Sequence, residues 1–248
     1  MRILVLNANT TEFVTETAAM EARRVASPGT EIVPVTADFG AAIIGTRAEH
    51  AIAEHAAVVL AARHAHGCDA VVIAVSYDTG LKALREMLPI PVVGMTEAAL
   101  LTACMLGGPI GLISLGRRVW PMYRELIDAY GFGGRIAGSQ VLENASAYQP
   151  GDTSALDAEL VTAAQTLIEQ DGAESIVVLG AVTAGSAHRI EDYVAVPVVD
   201  GMRCAIPQAE LLVRLGARKP TAGSYALTGE RATSGLDSAL AAALRRKS

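Results

Sequence analysis

The stretch DAVVIAVSYDTGLKALRE, residues 69–86, decides how this chain folds. After Asp69, residues 70–75 form an apolar run rich in valine, the composition of a strand buried on both faces of a parallel sheet. SYDTG supplies turn formers, and the residues after it read as a helix over about 79–88. A strand that passes through a tight turn into a helix is a common seat for reactive side chains in α/β proteins. Here the strand ends on Val75, whose side chain has only methyl groups to offer.

The same alternation extends in both directions. RILVLN (2–7) and EIVPVTA (31–37) come before it as strands, followed by helix-length segments over about 11–26 and 47–66. PVVGM (91–95) and the helical segment TEAALLTACML come after it. Strands separated by helices imply right-handed βαβ units and a parallel sheet. The second half then repeats the first: IGLISLG (110–116) echoes RILVLNA, SIVVLGAVTAG (175–185) echoes DAVVIAVSYDTG, and VPVVDGM (196–202) echoes IPVVGM. Pro91 and Pro197 stand 106 residues apart, and pairing Val75 with Ala181 gives the same shift. A shift of nearly half the chain means two similar lobes, not a solenoid of short repeats. The expected fold is α/β, with two lobes that are each a parallel sheet flanked by helices, related by a pseudo-twofold axis. The expected division is an N-terminal lobe (1–105), a C-terminal lobe (106–216) and a polar tail with a short final helix (217–248). That tail is expected to pack on the outside, to fold back on the first lobe, or to fray.

Composition narrows the function. A net charge of -6 with scattered Lys and Arg gives no basic field for a phosphate backbone, so nucleic acid is not an expected partner. Apolar runs are interrupted by Asp, Arg or Gly before they reach membrane-spanning length, and the short run after Met1 is too brief for a signal peptide. The expected setting is the cytoplasm and the expected partner a small molecule. Cys68, Cys104 and Cys204 are far apart and suggest core hydrophobes, without a disulfide framework or a metal site.

In open α/β sheets ligands bind beyond the carboxyl ends of the strands. That rule nominates Asn7 to Thr11, Val75 to Thr79, Ser114 to Arg117 and Ala181 to Ala184. Asn9, Thr10 and Thr11 offer polar side chains and helix-start N–H groups to a carboxylate or imide oxygen, although one of them also serves as an N-cap. Ser76 and Tyr77 are placed to donate hydrogen bonds into the cleft. Asp78 reads as the cap of the helix that follows it, with a lowered pKa that makes it a poor base. His50, His55, His64 and His66 lie on one long helix without metal-site spacing and read as solvated face residues, while His188 falls about two turns down its helix.

Taken in order, RILVLNANTT, PGTEIVPVTA, DAVVIAVSYDTGLKALRE, PVVGMTEAAL, IVVLGAVTAG and VPVVDGM resemble the hydantoin racemases of the aspartate/glutamate racemase superfamily over nearly the whole chain. The resemblance implies a cofactor-independent enzyme, commonly an oligomer. In that family one cysteine from each lobe flanks the substrate, one thiolate taking the α-proton while the opposite thiol returns one. The first cysteine aligns with Val75 and the second with Ala181, so both thiols are missing here. The resemblance leaves Asn9 and Thr10 to hold the substrate's polar end; Thr11 and Ser114 are further substrate-binding candidates from the strand-end rule. Three readings follow. One is altered chemistry, as a lyase, hydrolase, decarboxylase or isomerase, using Ser76, Tyr77, Thr183, a bound water or a metal; the superfamily has one-cysteine decarboxylases and isomerases. The second is racemisation with Asp78 or His188 as replacement bases. The third is ligand binding without turnover.

Overall fold

A computed structural model describes residues 1–143, 151–227 and 232–245. The first lobe runs β1 (Arg2–Asn7), α1 (Glu12–Val25), β2 (Glu31–Thr36), α2 (Arg47–His64), β3 (Ala70–Ile73), α3 (Leu81–Met87), β4 (Val92–Gly94) and α4 (Met95–Leu106). The second runs β5 (Ile110–Leu115), α5 (Trp120–Ala129), β6 (Ile136–Leu142), α6 (Ser154–Asp171), β7 (Ser175–Val178), α7 (Ser186–Ile190), β8 (Val198–Asp200) and α8 (Gly201–Arg214). A short α9 (Ser238–Ala243) follows. The two sheets have the orders β2-β1-β3-β4 and β6-β5-β7-β8, and every pairing is parallel. The two-lobed α/β fold is therefore the one expected from the internal repeat.

Each strand sits where its composition allows. All four residues of β3 and all four of β7 are buried, as the continuous valine-rich runs require of inner strands. Pro34 lies in β2, which pairs only with β1, so its missing N–H costs no ladder bond in the sheet interior. The strand β6 is the counterpart of β2 but contains Ser139 and Gln140 and is only half buried, so it has no apolar signature to read.

The register refines the repeat. Ile73 pairs with Gly94 and Val178 with Asp200, so the shift is 105 in β3/β7 and 106 in β4/β8. By the strand register Val75 corresponds to Gly180, and Ala181 falls one residue further on. Similarly, Ile3 pairs with Ala70 and Ile110 with Ser175, which makes Ser114 the counterpart of Asn7.

The lobes are interlocked through their last helices. Helix α4 lies against β7 and β8, α8 lies against β3 and β4, and the two helices pack on each other. Glu210 of α8 accepts from Ser27 N, Ser27 Oγ and Thr30 Oγ1 in the loop after α1, which ties the second lobe's last helix to the first lobe. The tail is anchored rather than frayed over its described part. Lys219 donates to the carbonyls of Arg85 and Leu88, Asp237 caps α9 and pairs with Arg63, and Leu240 is buried. No helix among the described residues is long and apolar enough to cross a membrane.

Candidate active site

The turn after β3 and the turn after β7 meet between the lobes. Ser76 Oγ accepts the Gly180 N–H at 2.9 Å, so the two turns touch directly. Thr96, in the first turn of α4, donates its hydroxyl to the Ser76 carbonyl at 2.5 Å and lies 3.1 Å from Ser76 Oγ. The Tyr123 phenol of α5 is close enough to Ser76 and Tyr77 to interact with both, and the Tyr77 and Tyr123 rings are 4.6 Å apart between centroids. Helix α1, which follows the NANTT segment, packs against the turn Ala181–Thr183. Ser76 and the turn at Gly180 thus meet directly, and Tyr77 lies beside Tyr123.

Burial keeps the phenols protonated. It lifts Tyr77 well above the ordinary tyrosine value, with Tyr123 adding to the effect, and it pushes Tyr123 up to about 12. Both are therefore hydrogen-bond donors near neutrality and neither is a base. Val75 is buried and Ala181 half-buried, each presenting only methyl carbon.

The NANTT loop is mostly occupied with itself. Asn9 Oδ1 accepts from Asn7 Nδ2 and Thr11 N, Asn7 Nδ2 also reaches Thr15, and Asn7 Oδ1 accepts from Asn9 N. Thr11 stands at the N-cap position of α1, yet its hydroxyl donates to the Ala42 carbonyl at 2.7 Å. The Asn9 Nδ2 protons and the half-buried Thr10 hydroxyl bond to no other described residue. Thr183 is spent internally, its hydroxyl donating to the Gly180 carbonyl at 2.6 Å. Ser114 is fully buried, and its Oγ meets no partner among the described residues.

Two expectations are corrected. Asp78 does not cap the helix that follows it. Its carboxylate accepts from Thr96 N (2.9 Å) and Glu97 N (2.8 Å) at the start of α4, and from the Tyr130 hydroxyl (2.8 Å). Complete burial outweighs these donors and raises Asp78 to about 7, the opposite direction from that of an exposed cap. His50 is not a solvated face residue, because its Nδ1 lies 3.3 Å from Thr79 Oγ1 and its ring meets Tyr77 edge-on. Burial makes it less basic. His188 is exposed and bonded to Glu191.

Sequence reasoning missed Thr96, Tyr123, Tyr130 and Asp200. Asp200 caps α8 through Arg203 N and also accepts from Gly185 N, both at 3.1 Å, and burial raises it to about 6. The comparison of VVGM with VVDGM did display Asp200 as a difference between the lobes, but the tyrosines come from helices in which no motif marks them. Cys204 is buried, with its thiol pushed up to about 12 by desolvation, which is the behaviour of a core residue. No group of three or more His, Cys, Asp or Glu side chains able to hold a metal ion occurs among the described residues.

Comparison with known proteins supplies the context. A family model described as Asp/Glu/Hydantoin racemase matches residues 3–209. A hydantoin racemase from Paenarthrobacter aurescens is 34% identical over 228 residues, covering 91% of this chain and 96% of that protein. Among solved structures, allantoin racemase from Pseudomonas fluorescens superposes with a TM-score of 0.88 at 35% identity, covering 95% of this chain and 100% of that one. Allantoin racemase from Klebsiella pneumoniae gives 0.89 at 32% identity, covering 97% and 98%.

Proposed function

Because the chain belongs to the Asp/Glu/hydantoin racemase family, we propose that it is an enzyme acting on a small hydantoin, imide or carboxylate between its lobes, by chemistry other than two-thiol proton exchange. The carrying observation is the pair of facing turns. Val75 and Ala181, the residues that the family resemblance aligns with the two thiols, cannot take or give a proton, whereas the hydroxyls around them are kept in a connected network. Ser76, Tyr77 and Tyr123 are neutral donors in a water-poor setting. Such groups stabilise negative charge developing on a carbonyl or carboxylate oxygen, the largest single contribution in many reactions that pass through an enolate. Asn9 and Thr10 hold the polar end of the substrate from the first lobe. The similarity to hydantoin and allantoin racemases supports a cyclic ureide as the first substrate class to try.

Racemisation with other bases is the second reading, favoured by one observation: Asp78 and Asp200 are buried carboxylates, one behind each turn, raised to about 7 and about 6. It ranks second because both already accept from helix-start N–H groups.

Proton NMR of the protein in deuterated buffer, with allantoin and a panel of 5-substituted hydantoins, decides between them. Loss of ring or substituent signals above the buffer rate supports altered chemistry and identifies the bond broken. Loss of the C5 proton alone supports racemisation. A panel that is neither consumed nor exchanged sinks the enzymatic proposal for this substrate class, and ligand-induced thermal stabilisation without consumption then supports binding.

A further inference from the structure

Each lobe keeps one buried carboxylate between the N-termini of its last two helices, but not at the same place in the chain. In the first lobe it is Asp78, two residues before the helix-start Gly80, reaching across to Thr96 N and Glu97 N at the start of α4. In the second lobe it is Asp200, at the end of β8, reaching from α8 to Gly185 N just before α7. The register makes Gly94 the counterpart of Asp200, and counting back from Gly80 and Gly185 makes Thr183 the counterpart of Asp78. The two lobes have therefore exchanged the site from which the carboxylate comes.

The space confirms the exchange. A Cβ built on Gly94 would meet the Asp78 carboxyl group at 2.4–2.7 Å. The Gly94 backbone (φ -84°, ψ 138°) is one that any residue adopts, so Gly94 is required by Asp78 and not by its own conformation. Asp78 itself sits at φ +49°, the one positive value outside glycine among the described residues. Aspartate tolerates that region better than most residues, yet the position still carries strain.

We propose that Asp78 is a positioning residue for the cleft: by holding the start of α4 it fixes Thr96, and Thr96 in turn fixes Ser76 against Gly180 across the lobes. Thr96 is the hinge of this chain of contacts, because its N–H goes to Asp78 while its hydroxyl goes to the Ser76 carbonyl and lies beside Ser76 Oγ. Tyr130 adds a bond from the second lobe to the same carboxylate. The Ser76 hydroxyl, on which the proposed function relies, is thus oriented from a residue that does not face the substrate.

The test exchanges the two residues. Amide hydrogen exchange at Gly180 reports the Ser76–Gly180 bond, and its ratio to the exchange rate at Val177, a buried β7 amide, removes any general loss of stability. Asp78→Gly, in which glycine accepts φ +49°, is expected to raise that ratio roughly tenfold, the scale of one lost charge-assisted hydrogen bond. The double variant Asp78→Gly/Gly94→Asp recreates the second lobe's arrangement and is expected to return the ratio toward wild type. An unchanged ratio in Asp78→Gly overturns the proposal, and so does a double variant no better than the single one. Where Asp78→Gly does not fold, Asp78→Asn, of the same shape, is read by the same ratio: a rise supports the positioning role and an unchanged value overturns it. With whichever ring the enzyme turns over, kcat is expected to fall in Asp78→Gly with KM held, and to recover in the exchange variant. Only this last readout rests on the proposed function. A protein inactive on the whole panel refutes that function while the Gly180 ratio still decides the role of Asp78.

Discussion

Substituting Gly201→Ala tests how the lobes are held, because α4 and α8 begin with counterpart residues that touch each other. Met95 opens α4 and Gly201 opens α8, at the 106-residue shift of the β4/β8 pair. A Cβ on Gly201 would lie 2.6 Å from Met95 Cε, 3.0 Å from Cγ and 2.8 Å from Cβ. The first two atoms belong to a flexible side chain and can swing away; Met95 Cβ cannot. Carbon atoms at optimal separation lie about 3.5–4.0 Å apart, so relief needs a movement of roughly 1 Å between helices that cross from lobe to lobe. Overpacking of this kind costs about 1–3 kcal/mol. Replacing glycine by alanine stabilises by about 0.4–1 kcal/mol through the unfolded chain. The net expectation is a loss of about 1–2 kcal/mol, a fall of roughly 5 °C in Tm for a chain of this size. Urea and thermal unfolding read it, with an unchanged m-value showing that a cooperative transition has merely shifted. The same displacement is expected to lengthen the Ser76–Gly180 contact and speed exchange at that amide. A Gly201→Ala protein as stable as the parent, or more so, refutes the close approach and with it the tight contact between the lobes.

Stability is expected to fall as pH rises from about 4 toward 7, since the folded states of Asp78 (about 7) and Asp200 (about 6) retain protons that an unfolded chain at 3.8 has already lost; each retained proton is worth about 1.4 kcal/mol per pH unit. Urea midpoints measured between pH 5 and 8 should show this slope, Asp78→Asn should flatten its upper part, and a flat wild-type profile would contradict the burial assigned to both groups. Val75→Cys together with Ala181→Cys is expected to create measurable exchange at C5 of a hydantoin in deuterated buffer, and silence from a folded double variant would mean that the pocket has been remodelled beyond the two thiols. Leu240→Ala is expected to cost about 2–5 kcal/mol, because α9 is held on α2 by that buried side chain; a loss within error would show the tail to be dispensable.

Much of the fold was legible because its signals are local and repeated. Valine-rich runs such as 70–73 and 175–178 can only be inner strands, and their recurrence half a chain apart announces two lobes. The edge strand β6 was not legible, since a half-buried strand containing Ser139 and Gln140 has no periodic apolar face. The strand-end rule found the turns at Ser76 and Ala181 but not their supports. Tyr123 and Tyr130 enter from the other lobe's first helix and its C-cap, at a sequence distance of about fifty residues, and no spacing rule spans that gap. Asp78 was misread for the same reason. A turn aspartate before a helix has two helices within reach, and only the packing decides which one it caps.

A duplicated fold offers a further reading that neither lobe offers alone. Where both copies keep the same residue, as Val72 of β3 and Val177 of β7, the shared sheet geometry is sufficient explanation. Where they differ at one register position, a single geometric need has been met twice in different ways, or met once and abandoned. Gly94 and Asp200 illustrate the first case, because each lobe still has its carboxylate. Met95 and Gly201 are forced apart in type, since two methionines at that contact would collide. Asn7 and Ser114 show the second case: the Asn7 amide organises the whole NANTT loop, whereas the Ser114 hydroxyl is buried without a partner among the described residues. An unpaired buried hydroxyl forfeits the hydrogen bond it would make in water. The polar network at the end of β1 therefore has no counterpart at the end of β5. Across the junction of the turns, the second lobe supplies the donors Gly180 N–H and Tyr130 hydroxyl, while the acceptors Ser76 and Asp78 come from the first, so the contact between the lobes is made by complementary and not by identical groups.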